Sequence, residues 1–234
     1  MSNTSLDNDN ALVVKNVSKT VSSPEGKLTI LSDINFIVSK GESVAIVGAS
    51  GAGKSTLLGL MAGLDSATKG RIFLNGHDLT DMDEDGRATV RAQNVGFVFQ
   101  SFHLIPSLNA LENVMLPLEL IGRHSAKKIA QEILYELGLK ERISHYPHQL
   151  SGGEKQRVAI ARAFASEPTV LFADEPTGNL DTKTGENIMK TMFTLNQEST
   201  TTLILVTHDK QLASMCKREI ILDAGLLIDD RKIE

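Results

Sequence analysis

Ser43–Val47 is a short apolar run that leads straight into Gly48-Ala49-Ser50-Gly51-Ala52-Gly53-Lys54-Ser55, and helical composition follows over residues 54–62. No other stretch restricts the fold so tightly. The glycines let the backbone wrap until successive N–H groups face one point, and the helix behind adds the positive end of its dipole. The product is an anion cradle of the G-x-x-x-x-G-K-[ST] kind. In such a cradle Lys54 reaches the β- and γ-phosphates of a nucleotide and the Ser55 hydroxyl meets Mg2+. A glycine-rich turn with an exposed lysine needs no ligand by itself. The strand before and the helix after are the context that the phosphate reading requires. Gly48, Ala49, Ser50, Gly51, Ala52, Gly53, Lys54, Ser55 and Thr56 are therefore the candidate nucleotide-binding residues.

Around this crossing the chain alternates short apolar strands with helices. Residues 12–17 and 28–38 read as strands about a turn-rich Ser22-Ser23-Pro24-Glu25-Gly26, and residues 71–74 and 95–99 as further strands. From 108 to 139 the pattern becomes mainly helical, with Ile129, Ile133, Leu134 and Leu137 at helical spacing. The last third reads as helix 152–166, strand 169–173, helix 181–195 with Ile188, Met192 and Leu195 on one face, strand 202–206, short helix 209–216 and a final strand 219–222. Such alternation indicates an α/β fold with a mainly parallel sheet, in which ligands bind where strands end and helices begin.

Composition closes off several function classes. The 234 residues suit one domain with room for a subdomain, and 41% apolar with 23% charged residues excludes wholesale disorder. A net charge of −5 argues against an electrostatically driven nucleic-acid binder. Cys216 is the only cysteine, so an internal disulfide is excluded and a reducing compartment is expected. Residues 1–10 are polar and acidic, without the pattern of a secretory signal, and apolar runs such as 57–64 are too short to cross a bilayer. The expectation is a soluble domain whose membrane role, if any, comes through a partner.

A second acidic element narrows the chemistry. Thr169-Val170-Leu171-Phe172-Ala173-Asp174-Glu175 is an apolar strand ending in two carboxylates. Asp174 would support the metal through Ser55 or a water, as the acidic residue of this strand does in P-loop enzymes. Glu175, at the strand end, can turn toward the γ-phosphate and polarise an attacking water. Solvated acids capping a strand are the alternative; beside a P-loop the catalytic reading is preferred.

Leu150-Ser151-Gly152-Gly153-Glu154-Lys155-Gln156-Arg157 has the makings of another anion-facing helix start, with Ser151 as N-cap and small glycines for close approach. The segment resembles the signature motif of ABC-transporter ATPases, and the other motifs follow that family's order. Gln100 after the 95–99 strand resembles the Q-loop glutamine that contacts Mg2+ and the attacking water. Asn179-Leu180-Asp181 resembles the D-loop that couples two facing subunits, and His208 resembles the switch histidine on the γ-phosphate. The resemblance covers about residues 12–228.

Within the family the likeness is to ATPases of lipoprotein-release and macrolide-export systems. Gly96-Phe97-Val98-Phe99-Gln100-Ser101-Phe102 and Asp174-Glu175-Pro176-Thr177-Gly178-Asn179-Leu180-Asp181 carry it, and residues 104–114 resemble the YbbA-like branch. The resemblance implies a P-loop NTPase (RecA-like) parallel-sheet core over about 11–99 and 168–234, with an N-terminal antiparallel β subdomain. A helical subdomain with the signature motif would occupy about 100–167, and a polar tail 1–10. It implies ATP and Mg2+ as cofactors and a head-to-tail homodimer. Each site would combine Lys54, Ser55, Gln100, Asp174, Glu175 and His208 of one subunit with Ser151, Gly152 and Gly153 of the other, while Asp181 couples the two. Glu175 is the implied general base. The partner implied is an integral-membrane permease with a large periplasmic domain, a periplasmic protein being a further candidate and nucleic acid none. The place implied is the cytoplasmic face of the bacterial inner membrane, and the task is extraction or export of a hydrophobic or lipid-like molecule. The stretch from about Phe102 to Pro147 is the implied docking surface, with an exposed subset near Phe102, His103, Leu104 and Ile105 as its grip; packing of these residues inside the subdomain is the alternative.

One departure stands out. Such ATPases usually place an aromatic after the first strand to stack on adenine, and here the chain reads Lys19-Thr20-Val21. Rival classes fit less well. A soluble ABC-type ATPase acting on nucleic acid or ribosomes would show a coiled-coil insertion or a second cassette. A small-metabolite P-loop kinase has no use for residues 150–157, and a non-hydrolysing regulatory module has none for Glu175 and His208.

Overall fold

The computed structural model describes residues 9–23 and 26–233. The polar start, but for its last residues, and the Pro24-Glu25 step of the expected turn lie outside them. The chain divides into two compact units, one built from Met1–Arg91 with Thr202–Glu234 and one from Ala92–Thr201.

In the first unit the strands β1 (Asn10–Ser23) and β2 (Gly26–Ser39) form a long antiparallel pair. β1 also pairs antiparallel with β4 (Lys69–Leu74), and the two-residue β5 (His77–Asp78) completes a sheet ordered β2-β1-β4-β5. The second sheet of this unit is mainly parallel. Its centre is β3 (Ser43–Val47), flanked in parallel by β8 (Thr202–Val206) and β9 (Arg218–Asp223). Val44, Ala45 and Ile46 of β3 and Leu203 to Val206 of β8 are fully buried, as strands of a parallel sheet covered on both faces should be. The helix α1 (Lys54–Met61) follows β3 directly and buries Leu57, Leu58, Leu60 and Met61.

Three elements go beyond the expected set, the two-residue β5 being the first. β10 (Leu226–Lys232) adds a hairpin strand after the segment expected to be last, turning at Ala224 and Gly225, both of positive φ. Its residues are nearly all exposed, so no apolar alternation marks it; cross-strand pairs hold it, Arg218 with Asp230 and Arg231 with Glu219. The helix α2 (Glu84–Asn94) buries only Val90 and is tied along its surface by Glu84 to Arg87 and Arg91.

The second unit holds β6 (Val95–Phe99) paired in parallel with β7 (Val170–Asp174), and four helices: α3 (Ala110–Leu120), α4 (Ala126–Glu136), α5 (Gly152–Ala165) and α6 (Thr182–Ser199). Gly96 lets α5 approach β6, because a Cβ there would stand 2.4 Å from the Ala163 carbonyl oxygen. α3 packs against both α4 and α5. The short helix α7 (Lys210–Ala213) belongs to the first unit. Among the described residues no helix is long and apolar enough to cross a membrane. Burial pushes the Cys216 thiol up to about 12 and leaves it an inert core group.

Candidate functional site

The expected site residues fall into two sets. Gly48 to Thr56 and His208 lie in the first unit; Gln100, Ser151, Gly152, Gly153, Asp174, Glu175 and Asp181 lie in the second.

In the first unit the turn from β3 into α1 is shaped by glycines that nothing else could replace. A Cβ on Gly48 would stand 2.2 Å from the Leu222 carbonyl oxygen. Gly53 has φ 96° and a Cβ there would meet Leu31 Cδ2 at 2.7 Å. The Ala52 N–H donates to the Ala49 carbonyl at 3.1 Å, which closes the loop on itself. Gly53 is the N-cap of α1 and, having no side chain, leaves the first helical N–H groups without a side-chain cap. Over this loop Lys54, largely buried, donates from Nζ to the Gly48 and Ala49 carbonyls at 2.9 and 3.0 Å. A desolvated ammonium beside uncapped helix amides fits a polyanion of phosphate chemistry. Ser55 is exposed at the first turn of α1.

His208 leaves the end of β8 between the buried Thr207 and the exposed Asp209. The Asp209 N–H donates to Thr207 Oγ1 at 3.0 Å, and Asp209 Oδ1 accepts from Gln211 N at 2.8 Å as the cap of α7. This double turn carries the exposed imidazole outward. His208 and Gly48 line one cavity of about 630 Å³, together with Val47, Lys210, Glu219 and Ile221.

In the second unit Asp174 ends the buried β7 and Glu175 follows at φ 48°. Left-handed backbone at a non-glycine residue is uncommon and is concentrated at functional positions. Here it turns the chain sharply out of the strand, and the Gly178 N–H donates back to the Glu175 carbonyl at 3.0 Å. The same turn receives Gln100: Asn179 Nδ2 donates to the Gln100 carbonyl at 2.9 Å, and the Gln100 side chain lies against Gly178. Sequence reading paired neither residue with Gln100; a glycine followed by an amide just after the carboxylates was the available signal.

Ser151 is the N-cap of α5 in a reciprocal capping box. Its Oγ accepts from Glu154 N at 3.3 Å, and its own N–H donates to Glu154 Oε2 at 2.8 Å. The Ser151 N–H holds the Glu154 carboxyl below its ordinary value, aided by the Ser151 hydroxyl and by Arg142, whose Nε donates to Oε1 at 3.0 Å. Ser151 Oγ accepts within the helix while its O–H serves the Glu154 carboxyl, so the side chain belongs to the capping box. Gly152 and Gly153 have an internal reason to be small: Cβ atoms there would stand 3.2 Å from Leu180 Cδ2 and 2.7 Å from Thr184 Cγ2. Asp181 caps α6, accepting from Thr184 N at 3.0 Å, and that hydroxyl-bearing residue holds its carboxyl below the ordinary value.

The donor set also bears on magnesium. Among the described residues no group of three or more His, Cys, Asp or Glu stands together as a metal cage. Mg2+ rarely uses one; it binds through one or two carboxylates together with substrate phosphates and waters. The Ser55 hydroxyl of the first unit and the Gln100 amide and Asp174 carboxylate of the second are ligand types of that habit.

Known proteins resemble this chain over most of its length. The family model of the ABC transporter matches residues 31–178. The chain is 53% identical over 224 residues to an ABC transporter ATP-binding protein, YbbA, of Escherichia coli K12, covering 95% of this chain and 98% of that protein. It is 48% identical over 221 residues to the lipoprotein-releasing system ATP-binding protein LolD of Idiomarina loihiensis, covering 94% and 97%. Among solved structures, a dimeric post-hydrolysis state of the ATP-binding cassette MJ0796 bound to ADP and Pi superposes with TM-score 0.89. It is 41% identical and covers 95% of this chain and 99% of the other.

Proposed function

The chain belongs to the ABC transporter family, and we propose that it is the ATP-hydrolysing motor subunit of a transporter that extracts or exports a hydrophobic or lipid-like molecule. The observation that carries this reading is the pairing of the uncapped α1 N-terminus with the Lys54 ammonium folded over the Gly48 and Ala49 carbonyls. On this reading the α1 amides and Lys54 hold the triphosphate. Ser55, Gln100 and Asp174 hold Mg2+, which when bound neutralises charge building on the transferring phosphoryl oxygens. Glu175 takes a proton from the attacking water, and His208 contacts the γ-phosphate.

A second copy completes each site in this proposal. The Ser151 O–H, turning from the Glu154 carboxyl, donates to the γ-phosphate of the facing subunit, with the Gly152 and Gly153 amides behind it. The capped Asp181 couples the two copies. The dimer that MJ0796 forms supports this arrangement. Closure would exclude bulk water and complete the stabilising charges only when ATP is present.

The membrane partner is a permease with a large periplasmic domain, gripped from the cytoplasmic side at the segment after Gln100. Ile105 is exposed there, and buried Asn113 pins its backbone, accepting from Ile105 N at 2.8 Å and donating to the Leu108 carbonyl at 2.9 Å. The relatives YbbA and LolD support this pairing in kind. The test is Mg2+-dependent ATP hydrolysis by the chain, alone and reconstituted with the permease. Turnover that the permease stimulates is expected, and no hydrolysis in either state overturns the reading.

A further inference from the structure

Arg162 is the one charged residue between Val158 and Ala165, on an α5 segment that is otherwise apolar and mostly buried. Burial lowers its pKa, and among the described residues no carboxylate pairs with it. Its guanidinium is spent on two backbone oxygens instead. Nη1 donates to the His103 carbonyl at 2.6 Å and Nη2 to the Phe102 carbonyl at 2.9 Å.

Those two residues are unusual in themselves. Phe102 has φ 59° and His103 φ 47°, the only consecutive pair of left-handed non-glycines among the described residues. Bulky residues rarely adopt this backbone, so neighbouring groups must hold it. Local bonds supply part of the restraint: Phe102 N donates to the Phe99 carbonyl at 3.2 Å, and the His103 ring stands edge-on to Phe99 at 4.8 Å. The two carbonyls receive their donors from Arg162. A planar fork holds two adjacent oxygens at a fixed spacing and angle, whereas a lysine ammonium can donate to two oxygens without imposing that geometry.

The segment so held begins at Gln100, whose carbonyl is tied by Asn179. We propose that Arg162 is a positioning residue: by bridging the Phe102 and His103 carbonyls it keeps this turn left-handed and so fixes the direction in which Gln100 leaves β6. The proposal rests on the reading of Gln100 as a magnesium and water contact only for its catalytic consequence, not for the conformational one. The same bridge links the far end of the signature helix to the segment proposed to meet the permease. Arg162 also lines a cavity of about 300 Å³ with Phe97, Phe99, His103, Pro117 and Ser166. When the guanidinium is removed, water can enter there and hydrate both carbonyls, so the variant keeps its hydrogen bonds and loses only their geometry.

The test uses the full chain with Arg162→Met and Arg162→Lys. Backbone 13C shifts and HN–Hα couplings of Phe102 and His103 are read by NMR, and Mg2+-dependent turnover is compared with nucleotide affinity in the absence of Mg2+. Both variants should move Phe102 and His103 out of the left-handed region. Turnover should fall about 10- to 100-fold, the usual scale for removing support behind a metal contact, with affinity without Mg2+ changing less than about twofold. Adding Phe102→Gly and His103→Gly to Arg162→Met should restore most of the lost rate, since glycine adopts this backbone freely. Unmoved shifts, or a rate that the two glycines do not restore, overturn the proposal. If Gln100→Ala hydrolyses ATP normally while the shifts do move, the assignment of Gln100 fails and the conformational role of Arg162 stands. Should Arg162→Met not fold, Arg162→Lys carries the same measurements.

Discussion

The Gln100 side chain lies so close over Gly178 that a Cβ there would stand 2.6 Å from Gln100 Nε2 and 3.0 Å from Cδ. Asn179, the next residue, donates to the Gln100 carbonyl at 2.9 Å. Both ends of Gln100 are thus set by the segment that follows the Asp174-Glu175 pair. The glycine is needed for this approach, since its φ is not among the positive ones. A change at the carboxylates can reach Gln100 through the Gly178-Asn179 step that follows them.

Gly178→Ala should therefore displace Gln100 while leaving the fold intact, because the atom in the way is the far end of a flexible side chain. Turnover is expected to fall about tenfold or more, with a higher Mg2+ requirement. A magnesium titration of the ATPase checks this, alongside a thermal melt that stays within a few degrees of the parent.

Glu175→Gln keeps the shape of a residue held at φ 48° and removes its basicity. Hydrolysis should drop by about 10²- to 10⁴-fold, the range for a general base. With ATP the variant should elute as a dimer on size exclusion. Near-normal turnover would take Glu175 out of its assigned role.

Lys54→Ala acts earlier, on binding. The ammonium that rests on the Gly48 and Ala49 carbonyls is attractive to phosphate already in the ground state. Hydrogen bonds to charged groups are worth about 1.5–3 kcal/mol, so ATP affinity should fall by about 10- to 150-fold. Equilibrium binding of ATP in the absence of hydrolysis gives the number.

Nucleobase choice should be loose. Lys19, Thr20 and Val21 offer no ring for stacking, and two of the side chains are engaged elsewhere: Lys19 with Asp65 at 2.7 Å, Thr20 with Thr29 at 3.2 Å. Base–aromatic stacking is worth about 1–3 kcal/mol, and without it kcat/KM for ATP and GTP should agree within about tenfold. A strong ATP preference contradicts this.

The capping box at α5 makes a pH-dependent contribution. The Glu154 carboxyl is held below its ordinary 4.5 chiefly by the Ser151 N–H. The unfolded chain then binds more protons than the native one as pH falls, so the stabilisation is present above 4.5 and is lost as pH drops through the lower native value. Glu154→Ala should cost about 1 kcal/mol at neutral pH, or about 2–4 °C in Tm for a chain of this size. Melts of both proteins should converge at acid pH.

Much of this protein can be read from short stretches of its chain. The glycine-rich turn into α1 and the capping box from Ser151 to Glu154 are local devices, whose partners lie within a few residues. β7 and β8 announce themselves as continuous apolar runs because both faces of a parallel strand are covered. Other features carry no local mark. β10 is exposed along nearly its whole length and exists through pairing with β9, and α2 buries a single residue. The hold of Gly178 and Asn179 on Gln100 spans nearly eighty residues, and that of Arg162 on Phe102 and His103 about sixty. Apolar spacing says which side of a helix is covered and is silent on which carbonyl a buried guanidinium will meet. Only the packing of α5 beside the β6 strand and its following turn decides that, because a hydrogen bond depends on distances that no sequence period encodes.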